Sequence, residues 1–354
     1  MASDLWSTAL KGVVLKKGAW EVPRGEPRHA RFRQGVLPLK HRLTGKSTAG
    51  KNSFDPRTTV TDIDAQIFAT LPSTLHYAGE PNDWVRVTRP GARLHSFLEG
   101  PVFDADGALW CVDVPYGRIF RIDVDGGWTV AHAGEGQPHG LARLDDKAFA
   151  VADYRLGLMR FDVQRSQMTS ICEGVNAERF RGLGDITRAP NGDLWFTDPG
   201  RSSLSDPTGR VYRLRNDGKS PELVLANVPY PNGIGLSPDG KLVYLAATRA
   251  NAVWRFLADA PDPVYPMVGT WVHLSGGLGP DGIAVHPNGC VAVAQGQAGR
   301  VHVFDAMGDM VARVRTPGGS WTTSVAWFLD RRRLAIVDAQ HAAIHVADLT
   351  NITI

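Results

Sequence analysis

No stretch of this chain is apolar over the ~20 residues that a membrane-spanning helix needs. Met1 to Lys17 holds no hydrophobic segment long enough for a secretory signal and carries Asp4 near its start. Cysteine is scarce: Cys111, Cys172 and Cys290 are an odd set of three without close pairing. No disulfide framework is implied, so a cytoplasmic location is expected. Cys111 and Cys290 fall inside apolar runs, the usual setting of a small buried thiol. Surplus charge is nearly absent as well, and a net +3 is too small to imply a nucleic-acid partner. It is unevenly placed. Residues 1–60 hold 12 Lys or Arg against 4 acids and are rich in Gly and Pro. Trp6, Trp20, Phe32 and Phe54 are too sparse for the aromatic interleaving of a single-strand binder. The segment reads as a basic extension, solvated or packed on the main domain or a neighbouring subunit. A homo-oligomer built through this arm is therefore open; nucleic-acid and membrane partners are not expected.

What the chain does have is a repeat. A polar residue, a Gly or its substitute, an apolar pair, a turn and two further apolar strands recur six times. The starts are Glu99-Gly100, His139-Gly140, Gly184-Asp185, Asn232-Gly233, Asp281-Gly282 and Thr323-Ser324. By subtraction they lie 40, 45, 48, 49 and 42 residues apart. A period in the forties made of short strands predicts an all-β, six-bladed β-propeller with one four-stranded blade per repeat. Asp106-Gly107, Asn191-Gly192, Asp239-Gly240 and Asn288-Gly289 supply the tight hairpins after the innermost strands. The second strands, such as Leu109 to Val112 and Val291 to Ala294, are apolar throughout, as strands packed between blades are. An N-terminal strand should close the ring and remove an exposed edge. The alternating stretch Asp83 to Thr88 is the candidate, together with Ile67-Phe68. The expected division is an extension over 1–60 and a propeller over 61–354.

The first position of each repeat lies at one end of the innermost strand, beside the axis. Glu99, Asn232 and Asp281 offer oxygen donors there. Two carboxylates and an amide oxygen suit one hard divalent cation such as Ca²⁺ or Mg²⁺. Pro231-Asn232-Gly233 and Pro280-Asp281-Gly282 would also make ordinary turns, but each of those repeats has its own hairpin dipeptide about seven residues later. Asp185, one place past the missing donor, can contribute from the side or as a base. Asp113, Asp153, Asp198 and Asp338 recur at the ends of second strands and read as turn-makers that bond nearby amides. Tyr154 can overhang the channel mouth.

Three segments carry a family resemblance: Phe97-Leu98-Glu99-Gly100-Pro101-Val102-Phe103, the stretch from Pro231 through Asn232 to Gly240, and Pro280-Asp281-Gly282-Ile283-Ala284-Val285. Over about residues 95–350 the chain resembles the senescence marker protein (regucalcin)/gluconolactonase family. That resemblance implies a six-bladed propeller with one divalent cation in its axial funnel and hydrolysis of a lactone. It implies Glu99, Asn232 and Asp281 as metal ligands and Asp281 also as general base. Members commonly carry Asn then Asp at the third repeat; this chain has Gly184-Asp185. His139 stands where many relatives have Asn. Gly157-Leu158-Met159-Arg160-Phe161 and Phe196-Thr197-Asp198 are similar to strictosidine-synthase-like propellers too.

The expected reaction is metal-assisted hydrolysis of a small-molecule lactone or cyclic ester, with Ca²⁺ first and Mg²⁺, Mn²⁺ or Zn²⁺ as alternatives. Asp281, His139 or Asp185 would serve proton transfer. His139, Tyr154, Arg181 and His341 are the expected substrate-binding residues. The competing readings are a condensing, lyase or isomerase enzyme acting on a ring, and a non-catalytic propeller that binds a metabolite.

Overall fold

The computed structural model describes residues 59–260 and 266–352. Apart from residues 59 and 60, the extension expected over 1–60 lies outside the described residues, as does any subunit contact it makes. From Leu98 onward the chain forms six antiparallel sheets in sequence order. Their innermost strands are Leu98–Phe103, Pro138–Asp145, Ile186–Arg188, Pro231–Leu236, Gly279–Val285 and Thr322–Trp327. These strands open blades 1 to 6, and each packs against the next around a closed ring. The architecture is the six-bladed β-propeller that the repeat predicts. Among the described residues no helix is long and apolar enough to cross a membrane.

The core is not one mass but six seams. Trp110 and Val112 of blade 1 meet Leu141 and Phe149 of blade 2. Trp195 and Val211 of blade 3 meet Ile234 and Val243 of blade 4. Corresponding clusters fill the other four junctions. A second strand therefore faces a neighbouring blade on each side, which is why Leu109–Asp113 and Ala148–Asp153 are buried along their whole length. Cys111 and Cys290 lie in these seams, where burial pushes their thiols up and away from reactivity. All three cysteines are free.

Ring closure differs from expectation in one element. Gln66–Thr70 pairs antiparallel with Ala343–Asp348 and completes blade 6. The preceding Thr61–Asp64 adds a parallel fifth strand to Met310–Arg315 of blade 5, with Asp62 bound to Arg313 at 2.7 Å. One short stretch thus covers two neighbouring outer edges. Asp83–Thr88, the expected closing strand, is instead a six-residue α-helix. Asn82 caps it by accepting from the Val85 amide at 3.1 Å. A strand would place Val85 and Val87 on one face, but Val85 is fully buried and Val87 is 54% exposed. A capped helical turn satisfies the amides that an unpaired strand here would leave open.

Candidate active site at the propeller axis

Each innermost strand begins at the same end of the molecule, and the second strands end there. Carboxylates at those ends pin the starts of three inner strands. Asp113 accepts from the Phe97 amide at 2.8 Å, Asp153 from Gln137 at 3.0 Å and Asp198 from Gly182 at 2.8 Å. Each of these amides lies two residues before a funnel position: Glu99, His139 and Gly184. Asp113 and Asp198 are further held by Arg118 at 2.7 Å and Arg210 at 2.8 Å. Asp153 and Asp338 also accept from amides of their own turns, Arg155, Leu156, Gln340 and His341, as turn-makers do, whereas Asp113 and Asp198 reach across the blade. Their task is to fix where the funnel residues stand.

Two glycines let neighbouring inner strands approach closely. A methyl group on Gly233 would stand 2.2 Å from the Asp281 carbonyl oxygen, and one on Gly140 would stand 2.7 Å from Asp185 Oδ1. The first closeness brings Asn232 and Asp281 together: Asn232 Nδ2 donates to Asp281 Oδ1 at 2.6 Å. Asp185 fills the space beside Gly140 and accepts from the Ile234 amide of blade 4 at 3.1 Å. Thr323 turns away from the funnel chemistry, donating to the Leu98 carbonyl at 2.9 Å.

The electrostatics of these acids are the site's most distinctive property. Burial pushes the Glu99 carboxyl well above its ordinary range, and the charges of Asp281 and Asp185 push it further. Asp281 is raised in the same direction by burial and by Asp185, against the opposing bond from Asn232. Asp185 is pushed up to about 6 by burial, against the bonds it accepts from the Ile186 and Ile234 amides. Among the described residues no Lys, Arg or His forms an ion pair with any of the three. Such a cluster needs protons or a cation to be stable.

The donor chemistry fits a hard divalent cation. Glu99, Asp281 and the amide oxygen of Asn232 supply only oxygen. Among the described residues no three His, Cys, Asp or Glu side chains stand close enough to hold an ion by themselves. The Asn232 Nδ2 bond to Asp281 leaves the amide oxygen uncommitted.

The expected binding residues divide into two groups. His139 and Tyr154 stand together at blade 2, with ring centroids 5.6 Å apart. His139 Nδ1 donates to the Gln137 carbonyl at 3.0 Å, which fixes Nε2 as the unprotonated nitrogen of the neutral ring. Burial lowers the pKa of this imidazole. Arg181 and His341 have bonds of their own. Arg181 donates to the Thr208 carbonyl at 3.0 Å, and His341 Nδ1 meets the buried Asp338 at 2.8 Å on the loop that follows the second strand of blade 6.

Tyr230 escaped the sequence reading. It lies two residues before Asn232 with a left-handed backbone φ of 60°, a conformation that costs energy for a residue with a side chain. Its hydroxyl is pushed up by burial, then by Asp281, Glu99 and Tyr154, so it belongs to the axial cluster. The available signal was the repeat itself, read two places upstream: Phe97, Gln137, Gly182, Tyr230, Gly279 and Trp321 share one register. Residues two apart in a strand point to one face.

A family model described as "SMP-30/Gluconolactonase/LRE-like region" matches residues 97–349. The chain belongs to this family of propellers. A lactonase, drp35, from Staphylococcus haemolyticus is 28% identical over 245 residues, covering 66% of this chain and 73% of that protein. Among solved structures, a gluconolactonase from Xanthomonas campestris superposes with a TM-score of 0.63 at 23% identity, covering 72% of this chain and 86% of the other. A calcium-binding protein, regucalcin, from Agrobacterium tumefaciens gives a TM-score of 0.65 at 22% identity, covering 82% and 96%. Both structural likenesses concern the fold.

Proposed function

We propose that this chain is a cation-dependent hydrolase that opens a lactone or related cyclic ester. Lactone hydrolysis as the reaction class is supported by the family and by the relatives named lactonase. The dependence on a cation rests on one observation: three carboxylates, Asp281 buried and Glu99 and Asp185 half-buried, crowd the axis with no basic partner among the described residues. The same observation disfavours a cation-free condensing or lyase enzyme. Glu99, Asn232 and Asp281 would hold the ion, with Ca²⁺ the best match to an all-oxygen set. When bound, a divalent cation polarises an ester carbonyl and offsets the negative charge that develops on its oxygen.

The protein's own groups complete the reaction. Asp281 accepts from Asn232 and would also hold the ion, so it is a poor proton acceptor. His139 is neutral, with Nδ1 anchored and Nε2 free, and we assign it the proton of the attacking water. Water adds to the carbonyl carbon and the ring C–O bond breaks. His139 passes its proton to the departing ring oxygen, leaving a hydroxy acid. Tyr154 and Tyr230 wall the site and exclude water from the bound ring. Asp185 holds the start of blade 4 and the negative field of the axis.

Asp281→Ala tests the assignment. It should release the bound cation, measured by elemental analysis, and lower kcat/KM on a lactone panel by at least about 10²-fold. Unchanged cation content and unchanged lactone opening would show the assignment to be wrong.

A further inference from the structure

Two arginines at the funnel mouth have no task in the mechanism above. Arg201 and Arg249 follow the second strands of blades 3 and 4, at the end of the propeller that holds the axial acids. Each is tied to a tyrosine of the site. The Arg249 guanidinium lies 5.7 Å from the centroid of the Tyr230 ring. Arg201 stands against the Tyr154 hydroxyl, where it partly offsets the upward push of burial on that group, and the Tyr154 ring is 5.6 Å from that of His139. Both arginines are exposed, and neither has a carboxylate partner among the described residues. The arginines that lie deeper in blades 1 and 3 are neutralised: Arg118 by Asp113 and Arg210 by Asp198. Arg155, at the matching place in blade 2, instead donates to the Glu135 carbonyl at 3.1 Å.

Two exposed guanidinium groups at the mouth, with no acid to neutralise them, favour an anionic ligand over a neutral one. A guanidinium stays charged at any working pH and matches a carboxylate with two parallel donors. An aromatic face beside it limits its freedom before the ligand arrives. A neutral lactone would leave both arginines idle.

We propose that the substrate is an anionic lactone, with a carboxylate outside the ring bound by Arg201 and Arg249 while the ring carbonyl lies at the axial acids. This inference rests on the lactone-hydrolase reading and narrows it to a substrate class.

The test compares γ-butyrolactone with its 5-carboxylate derivative on the cation-loaded full chain, in wild type, Arg201→Gln, Arg249→Gln and the double variant. Wild type should favour the carboxylate lactone by about tenfold or more in kcat/KM, the scale of one or two charge-assisted hydrogen bonds. Each Arg→Gln change should raise KM for that lactone about five- to tenfold with kcat nearly unchanged, and should affect the neutral lactone far less. Equal rates of wild type on both lactones, or equal losses on both in the variants, overturn the inference and leave lactone hydrolysis standing. If neither lactone is opened with any cation, the hydrolase reading has failed. Calorimetric titration with 2-hydroxyglutarate, the ring-opened product, then decides alone. Binding that the two variants weaken keeps the anion site, whereas no binding or binding indifferent to both removes it.

Discussion

Replacing Asp185 by Asn should make the cation-free protein more stable at neutral pH. The folded state raises this carboxyl from 3.8 to about 6. A shift of about two units at ~1.4 kcal/mol each is a penalty of about 3 kcal/mol for the ionised form. The sign follows from proton counting: the folded state holds the proton where the unfolded chain has released it. Stability contributed by this group is therefore lost as pH rises from about 4 through about 6 and is fully lost at pH 7.5. The amide side chain of the Asp185→Asn variant keeps an acceptor for the Ile234 amide, 3.1 Å from Asp185 in the native protein, and carries no charge to penalise. It also relieves Glu99 and Asp281, both raised in part by Asp185. Chemical unfolding in chelator should show wild type and variant close together at pH 4.5 and separated by about 3 kcal/mol in favour of the variant at pH 7.5. For a domain of this size that is roughly 5 °C or more in Tm. Saturating Ca²⁺ should stabilise wild type more than the variant, because the cation offsets the field of all three acids. An Asp185→Asn protein no more stable than wild type in chelator at pH 7.5 would refute the reasoning.

Three further outcomes follow from the same geometry. His139→Gln should lower kcat by about 10²- to 10³-fold with cation content unchanged. In wild type kcat/KM should rise with pH through a midpoint below the ordinary imidazole value, because burial lowers this His; a full-speed variant would return the proton to Asp281. Gly184→Asn should tighten cation binding about tenfold in a calorimetric titration, at a stability cost of about 1 kcal/mol. A side chain there meets Pro199 Cγ at 3.0 Å and Thr197 Oγ1 at 3.1 Å, so its neighbours must give only slightly. Gly233→Ala should cost roughly 3 kcal/mol and abolish cation binding, since its methyl would stand 2.2 Å from the Asp281 carbonyl and force blades 4 and 5 apart. Unchanged unfolding in urea would show that the inner ring yields more easily than its spacing implies.

The repeat was legible because each blade writes the same physical demands into its own stretch of chain. An inner strand needs a small residue where the next blade's backbone approaches, a hairpin needs a positive-φ dipeptide, and a second strand needs apolar side chains on both faces. Gly233, Asp239-Gly240 and Leu242–Ala247 meet those demands within one short segment. What stayed hidden depends on partners far away in sequence. Ile67-Phe68 pointed to the closing strand Gln66–Thr70 but not to its partner, Ala343–Asp348, at the other end of the chain. The stretch Asp83–Thr88 alternates well enough for a strand, but its cap at Asn82 and the burial of Val85 decide for a helix. Asp113 and Asp198 look like turn formers until the fold brings the amides of Phe97 and Gly182 to them across a blade. Tyr230 was visible only as a residue before proline; its backbone strain and its place beside Glu99 and Asp281 exist only in the closed ring.

The irregular third blade is the key to how this axis works. In blades 1, 2, 4 and 5 the position after the funnel residue is Gly, and in blade 6 it is Ser324. The close approach of the next inner strand explains that preference at Gly140 and Gly233. At blade 3 the two roles are exchanged: Gly184 takes the funnel position and Asp185 the packing position. A carboxylate is tolerated there because it binds the amide of Ile234 at 3.1 Å, so a hydrogen bond replaces close backbone packing. Gly184 leaves no side chain where the family resemblance implies Asn, while Asp185 keeps its place, bonded to the Ile234 amide and adding its field to the axis. That field raises Glu99 and Asp281 and makes their ionised forms costly to the folded state.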